Sequence, residues 1–298
     1  MGDATARLSG WQVALRLGRV SNLPTVWTNA LTGIVLAGGA ALHPRTLPLL
    51  LALSLFYVAG MYLNDAFDRE IDARERPERP IPSGRISARM VFVAGFGMMG
   101  AGLLLLLLVG YALPDGTGIW PAVGGLALGA AIVVYDWHHK GNPLSPVFMG
   151  ICRMLVYVTA ALAVGAALPA AVLVAACVLL SYLIGLTYVA KQETLGEVRN
   201  LWPLLFLAVP VVYGAATALD SPTGVILFLA FVAWLGVALW YLRRRAPGDV
   251  PRAVVSLLAG ISLLDAVLIA GPGALGIAWL AAAGFALTVV LQRFVAAT

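Results

Sequence analysis

The residues best equipped for chemistry lie in the stretch from Met61 to Asp72, where Asn64, Asp65, Asp68 and Asp72 fall close together. On a helix, Asn64, Asp68 and Asp72 occupy successive i, i+4 and i+8 positions along one face, and Asp65 lies on its flank. Like charges four residues apart repel, and these emerge from a long apolar run, so the arrangement is costly unless a cation compensates it. Carboxylate and amide oxygens are hard donors suited to Mg²⁺ held jointly with substrate phosphates. A zinc site would need His or Cys, which the stretch lacks. The competing reading is a solvated helix end whose acids pair with Arg69, Arg74, Arg76 and Arg79. It accounts for the arginines but not for the one-face register.

The chain continues as Arg76-Pro77-Glu78-Arg79-Pro80-Ile81-Pro82-Ser83-Gly84-Arg85. The three prolines stiffen this loop and Gly84 permits a turn. Rigid arginines beside a carboxylate site offer a diphosphate both positive charge and forked donors; contact with lipid headgroups is the alternative. Asn64-Asp65-x-x-Asp68-x-x-x-Asp72 followed by Arg79-Pro-Ile-Pro-Ser-Gly84 closely resembles the signature of the UbiA superfamily of intramembrane prenyltransferases. That superfamily includes 4-hydroxybenzoate polyprenyltransferases, chlorophyll synthases, protohaem farnesyltransferases and menaquinone-pathway enzymes. The resemblance implies Mg²⁺ on Asn64, Asp68 and Asp72, bridging to an allylic diphosphate. It places Asp65, Arg76 and Arg79 beside that diphosphate. Arg19-x-x-Asn22 is similar to the family's N-terminal diphosphate element, and Tyr135-Asp-Trp-His-His-Lys140 looks like its tyrosine–lysine element. Lys140 would then contact diphosphate, and Tyr135 would line the cavity or face a carbocation. Without the family, Tyr135 reads equally well as an interfacial aromatic anchor.

The family usually carries a second aspartate-rich motif, and here the chain departs from it. The corresponding segment runs from Thr187 to Arg199 and contains no aspartate. Glu193 and Glu197 are spaced i, i+4 and are competent Mg²⁺ ligands; Lys191 and Gln192 beside them are assigned to the diphosphate. Three readings stay open: a glutamate-based second site, a single-metal site in which Lys191 supplies the missing charge, and a catalytically weakened relative. Arg153, inside an apolar run, is expensive unless compensated. Diphosphate or an anionic acceptor in a central cavity would do so, as would a structural pair with Asp265. His138 and His139, beside Lys140, are either acceptor contacts or simply solvated.

The elements that must position these residues follow from composition. Of 298 residues, 61% are hydrophobic and 11% charged, too few charges for a water-soluble domain. Disorder, a disulfide scaffold and a nucleic-acid partner are excluded by the same figures and by only two cysteines, read as packing residues. Apolar runs between breakers predict spans near residues 20–41, 46–66, 88–112, 117–136, 145–166, 168–190, 200–218, 222–243, 251–270 and 273–294. The expected fold is an all-α, polytopic transmembrane bundle of nine to ten helices around a central cavity, with two similar halves as a further possibility. Residues 1–298 form one domain, in which 1–19 read as an amphipathic segment at the membrane surface and not as a cleaved signal.

With ten spans, 17 of the 19 Lys and Arg residues fall in the loops of the first side or at the span ends beside them, Arg45 falls in a loop of the second side, and Arg153 lies inside a span. The positive-inside rule therefore puts both termini and the loops 67–87 and 191–199 in the cytoplasm, in an inner-membrane protein. Function is expected at that face. The resemblance implies Mg²⁺-dependent ionisation of a prenyl diphosphate and capture of the cation by a lipophilic or aromatic acceptor, with membrane lipid around the tail. A secondary transporter or lipid carrier is the alternative, although its site would lie near the midplane. An inactive assembly subunit is a third.

Overall fold

In the computed structural model, residues 10–193 and 202–295 are described. Among them the chain forms helices α1 (Gly10–Leu17), α2 (Leu23–Leu36), α3 (Thr46–Phe67), α4 (Arg69–Glu75), α5 (Ala88–Tyr111) and α6 (Trp120–His138). The second part comprises α7 (Ser145–Leu162), α8 (Ala170–Glu193), α9 (Ala208–Ala218), α10 (Pro222–Arg244), α11 (Asp249–Ala270) and α12 (Leu275–Leu291). Short 3₁₀ turns at Val20–Asn22 and Trp202–Leu207 precede α2 and α9.

Each of the ten predicted spans overlaps one of these helices. Seven of them, α3, α5, α6, α7, α8, α10 and α11, are long and apolar enough to cross a membrane. The other three, α2, α9 and α12, are shorter than their apolar runs, because 3₁₀ turns and the turn at Gly273 take up the ends. The two additional helices, α1 and α4, are short and lie outside the apolar runs. The chain is an integral membrane protein of this helical class.

Local chemistry explains the boundaries. Proline occupies the first turn of α2, α6, α7 and α10, where its missing N–H costs nothing. Ser87 and Ser221 cap α5 and α10 by accepting from the backbone N–H of Met90 and Gly224. Gly84 takes φ 73°, the left-handed turn expected of it.

Buried apolar side chains divide into two principal clusters, one among α2, α3, α5, α6 and α7, the other mainly among α8, α10, α11 and α12. Helix α11 is almost wholly enclosed, whereas α5 is mostly exposed and presents its apolar surface outward. Small residues bring backbones close in the bundle: a Cβ on Gly124 of α6 would lie 2.8 Å from the Thr159 hydroxyl of α7. A smaller cluster of Val13, Leu17, Ala66 and Val91 packs with Ile81 and Ile86. It seats α1 and the proline-rich loop on the ends of α3 and α5. At the opposite end of the bundle, Arg45 donates to the Asp115 carbonyl at 2.9 Å and joins two short loops.

Candidate active site

Helix α3 delivers the acidic motif. It runs to Phe67, and Asp68 joins it to α4 without breaking the i, i+4 pattern: Asp68 N–H donates to Asn64 O (3.0 Å) and Asp72 N–H to Asp68 O (2.8 Å). All four motif side chains are buried. The one-face register holds in the backbone, but the side chains turn to different partners.

Asp65 accepts from Arg19 (3.2 Å) and from Arg79 (3.1 Å). Asp72 accepts from the same Arg79 guanidinium at 2.8 Å. Arg79, from the proline-rich loop, therefore ties that loop to both ends of the motif. Asp68 faces elements further along the chain: His139 Nε2 lies 3.3 Å and Lys140 Nζ 3.6 Å from its carboxylate. Asn64 donates through Nδ2 to Asp136 Oδ1 of α6 at 3.2 Å. The solvated-helix-end reading is thus right about Arg79, but Arg69 pairs with Glu70, away from the motif.

Arg19 sits in a left-handed backbone conformation (φ 41°, ψ 46°) between α1 and the 3₁₀ turn, an arrangement that costs a non-glycine residue about 1–2 kcal/mol. The kink points its guanidinium across to α3, where it reaches Met61 Sδ (3.3 Å) as well as Asp65.

These residues surround one cavity of about 990 Å³. Its charged end is bordered by Glu75, Arg76, Arg79, His139, Lys140 and Lys191, with Arg19, Asn22, Asn64, Asp68, Tyr135 and Asp136 also on the wall. Most of the remaining lining is apolar, including Val26, Leu53, Phe56, Leu128, Val156 and Leu183. Phe56 precedes Asn64 by eight positions, so the cavity extends on the order of 12 Å along α3 from the motif. Tyr135 lies on the cavity wall and stacks on His139 with ring centroids 4.9 Å apart. Lys191 donates to the Asn142 carbonyl at 2.7 Å.

Arg153 also lines the cavity, deep in α7. It donates to Asn29 Oδ1 (3.2 Å) and lies over the Tyr57 ring (5.2 Å to centroid). Asp265 is reached only through Asn29, which donates to it at 2.8 Å. The structural pair considered for Arg153 is therefore bridged.

Of the expected site residues, Asn64, Asp68, Tyr135, Lys140, Arg19, Asn22, Arg76, Arg79, Arg153 and Lys191 line the cavity, while Asp65 and Asp72 lie behind it against Arg79. The side chains of Gln192 and Glu193, and all of Glu197, lie outside the described residues. Sequence reasoning passed over Asp136 and Thr187. Both line the cavity, and Asp136 Oδ2 and Thr187 Oγ1 are buried with no hydrogen-bond partner among the described residues.

The donor set fits Mg²⁺. Among the described residues no three His, Cys, Asp or Glu side chains converge as a complete metal cage. Mg²⁺ does not require one, since it binds through one or two carboxylates plus substrate phosphates. The Asn64 amide, the Asp68 carboxylate and the orphaned Asp136 oxygen are hard donors on one cavity wall.

The profile of the UbiA prenyltransferase family matches residues 26–257. The digeranylgeranylglyceryl phosphate synthase of Methanopyrus kandleri is 28% identical over 273 residues, covering 85% of this chain and 90% of that protein. The synthase of the same name from Metallosphaera sedula is 38% identical over 98 residues, 33% of this chain. The chain spans about a third (34%) of the length of that relative and of its counterpart from Methanothrix thermoacetophila. Among solved structures, a UbiA homologue from Aeropyrum pernix K1 superposes with a TM-score of 0.63 at 16% identity, covering 84% of this chain and 96% of that one. A UbiA homologue from Archaeoglobus fulgidus bound to GPP and Mg²⁺ gives a TM-score of 0.58 at 15% identity, covering 86% and 99%. These structural likenesses establish a common fold.

Proposed function

The chain belongs to the UbiA prenyltransferase family, and from that membership we propose that it transfers an allylic prenyl group from its diphosphate to a lipophilic acceptor within the membrane. The observation that carries this reading is the cavity, with anion-binding cations and hard oxygen donors at one end and an apolar channel leading away from them.

Arg19, Arg76, Arg79, Lys140 and Lys191, which line the cavity, would receive the diphosphate, joined by Asn22 through family resemblance and by Gln192 through its place beside Lys191. Asn64 and Asp68, supported by Asp72, are the residues that would hold Mg²⁺, which supplies neutralisation of charge on the leaving diphosphate. The allylic C–O bond breaks with its electron pair leaving on the diphosphate, and the five cations stabilise the charge that develops there. The Tyr135 face lies where it can stabilise the prenyl cation through its quadrupole. Leucine, valine and phenylalanine side chains along the channel exclude water that would otherwise capture the cation. A nucleophilic atom of the acceptor then bonds to the allylic carbon and loses a proton.

The relatives named digeranylgeranylglyceryl phosphate synthase favour a prenylated glyceryl phosphate as acceptor over an aromatic one. Arg153, buried beside the apolar channel with no carboxylate within ion-pair reach among the described residues, provides a cation for an acceptor of that charge. By the positive-inside rule the mouth opens to the cytoplasm.

The test is incubation of purified protein with geranyl, farnesyl and geranylgeranyl diphosphates, Mg²⁺ and geranylgeranylglyceryl phosphate, with products read by mass spectrometry. A doubly prenylated glyceryl phosphate that disappears in Asp68→Asn supports the reading. Absence of diphosphate release from every donor would overturn it.

A further inference from the structure

The four carboxylates around the motif are not equivalent in their partners. Asp65 has Arg19 and Arg79, Asp72 has Arg79, and Asp68 faces His139 and Lys140. Asp136 has no cationic partner among the described residues. Its Oδ1 accepts from the Asn64 amide and its Oδ2 accepts from nothing, although the residue is only 4% exposed. A buried carboxylate oxygen without a donor is strongly unfavourable unless a proton or a cationic ligand completes it. The residue lines the cavity, so a ligand can reach it.

The Asn64–Asp136 hydrogen bond adds a directional argument. With Asp136 ionised, as a metal ligand must be, an Asn64 amide turned over would set its oxygen against the carboxylate and repel it, so the ionised Asp136 fixes the amide orientation. The Asn64 oxygen is thereby left without a hydrogen-bond donor among the described residues. Two hard oxygens, one from α3 and one from α6, thus remain without partners on one wall of the cavity. The acids of the segment from Thr187 to Arg199 are two glutamates, Glu193 and Glu197, and Asp136 brings a carboxylate to the cavity wall from a different helix, α6.

We propose that Asp136 is a direct ligand of the divalent cation, acting with Asn64 and Asp68 and supplying a carboxylate from α6. This inference rests on the prenyltransferase reading for the identity of the co-bound diphosphate. It goes beyond that reading in assigning the ligand to α6.

The experiment measures Mn²⁺ binding by electron paramagnetic resonance on the full-length protein in detergent, with a non-ionising thiolodiphosphate analogue of geranylgeranyl diphosphate present. Asp136→Asn keeps the acceptor for the Asn64 amide and is expected to weaken Mn²⁺ binding at least tenfold while the thermal midpoint holds. Asp136→Cys is expected to shift preference from Mn²⁺ toward Cd²⁺, a change that a purely structural residue would not produce. Should Asp136→Asn fail to fold, Asp136→Glu retains the carboxylate and is expected to bind Mn²⁺ within about tenfold of wild type. Unchanged Mn²⁺ affinity in Asp136→Asn, or no change of metal preference in Asp136→Cys, would overturn the assignment and leave the prenyltransferase reading standing. No Mn²⁺ binding by the wild-type protein with the analogue would overturn both.

Discussion

Replacing Asp265 with alanine tests what holds the bundle around the cavity. Asp265 is fully enclosed in α11 and does not line the cavity. Its carboxylate accepts from Thr28 (2.5 Å), Asn29 (2.8 Å) and Thr32 (3.1 Å) of α2, and from the Tyr157 hydroxyl of α7. Losing the acceptor does not strand all four donors equally. Thr28 also reaches the Thr25 carbonyl and Ser262, and Thr32 reaches the Thr28 carbonyl. Asn29 Nδ2 and the Tyr157 hydroxyl have no other acceptor among the described hydrogen bonds. Two stranded donors cost about 1–3 kcal/mol each, or about 2–6 kcal/mol together. Removing a buried carboxylate returns part of its desolvation cost, which brings the expected loss to about 2–4 kcal/mol. Asp265→Asn retains one acceptor oxygen and should fall between alanine and wild type. The assay is unfolding by denaturing detergent in mixed micelles, paired with prenyl-transfer rates on the folded fraction. A change below about 0.5 kcal/mol in Asp265→Ala would refute the argument. So would abolished turnover in a fully stable Asp265→Asn, which would place Asp265 in the chemistry.

Three further outcomes follow from the cavity. Arg79→Ala leaves the buried Asp72 without its ion-pair partner and frees the proline-rich loop. Stability in the detergent titration should drop by about 3 kcal/mol, and Asp72→Asn in the same chain should recover part of it. Tyr135→Phe keeps the aromatic face and should stay within about threefold of wild-type kcat, whereas Tyr135→Leu should lose at least about tenfold if the ring faces a cation. Phe56 lines both the main cavity and an outward-facing groove of about 470 Å³ containing Gly125 and Gly129. Phe56→Ala should join the two, cost about 3–5 kcal/mol of stability, and shift the donor kcat/KM ratio toward longer prenyl chains in competition assays.

Much of this molecule was legible in one dimension because a membrane simplifies the code. Runs of about 20 apolar residues separated by His43-Pro44, Gly141-Asn142-Pro143 or Gly271-Pro272-Gly273 locate helices whatever their neighbours are. The acidic motif was legible because its spacing is local: Asn64, Asp68 and Asp72 share a face whatever surrounds them. What spacing could not supply was which acid meets which base. Arg79 is near Asp72 in sequence and pairs with it, but Asp68 turns to His139 and Lys140, which join it only once α3 and α6 are neighbours. Asp136 was hidden for the same reason. Beside Tyr135 and Trp137 it reads as part of an interfacial helix end, and its significance comes from Asn64, 72 positions away.

The shortened helices were illegible for a different reason. Hydropathy cannot distinguish α2, which starts only after the left-handed Arg19 and a 3₁₀ turn, from a helix that fills its whole apolar run. That departure from regular helix serves the site. A continuous helix through residues 16–36 would fix the direction of Arg19 by helical periodicity alone, whereas the break lets its guanidinium reach Asp65 and Met61. The same reasoning applies to the rim as a whole. Asp65 and Asp72 share Arg79, and Asp68 shares two basic neighbours, so several charges near the mouth already have partners before a diphosphate arrives. An arriving anion competes for those arginines and lysines, and each carboxylate it displaces needs a new positive partner. Donor and divalent cation are therefore expected to bind with mutual reinforcement, each offsetting the charge that the other exposes.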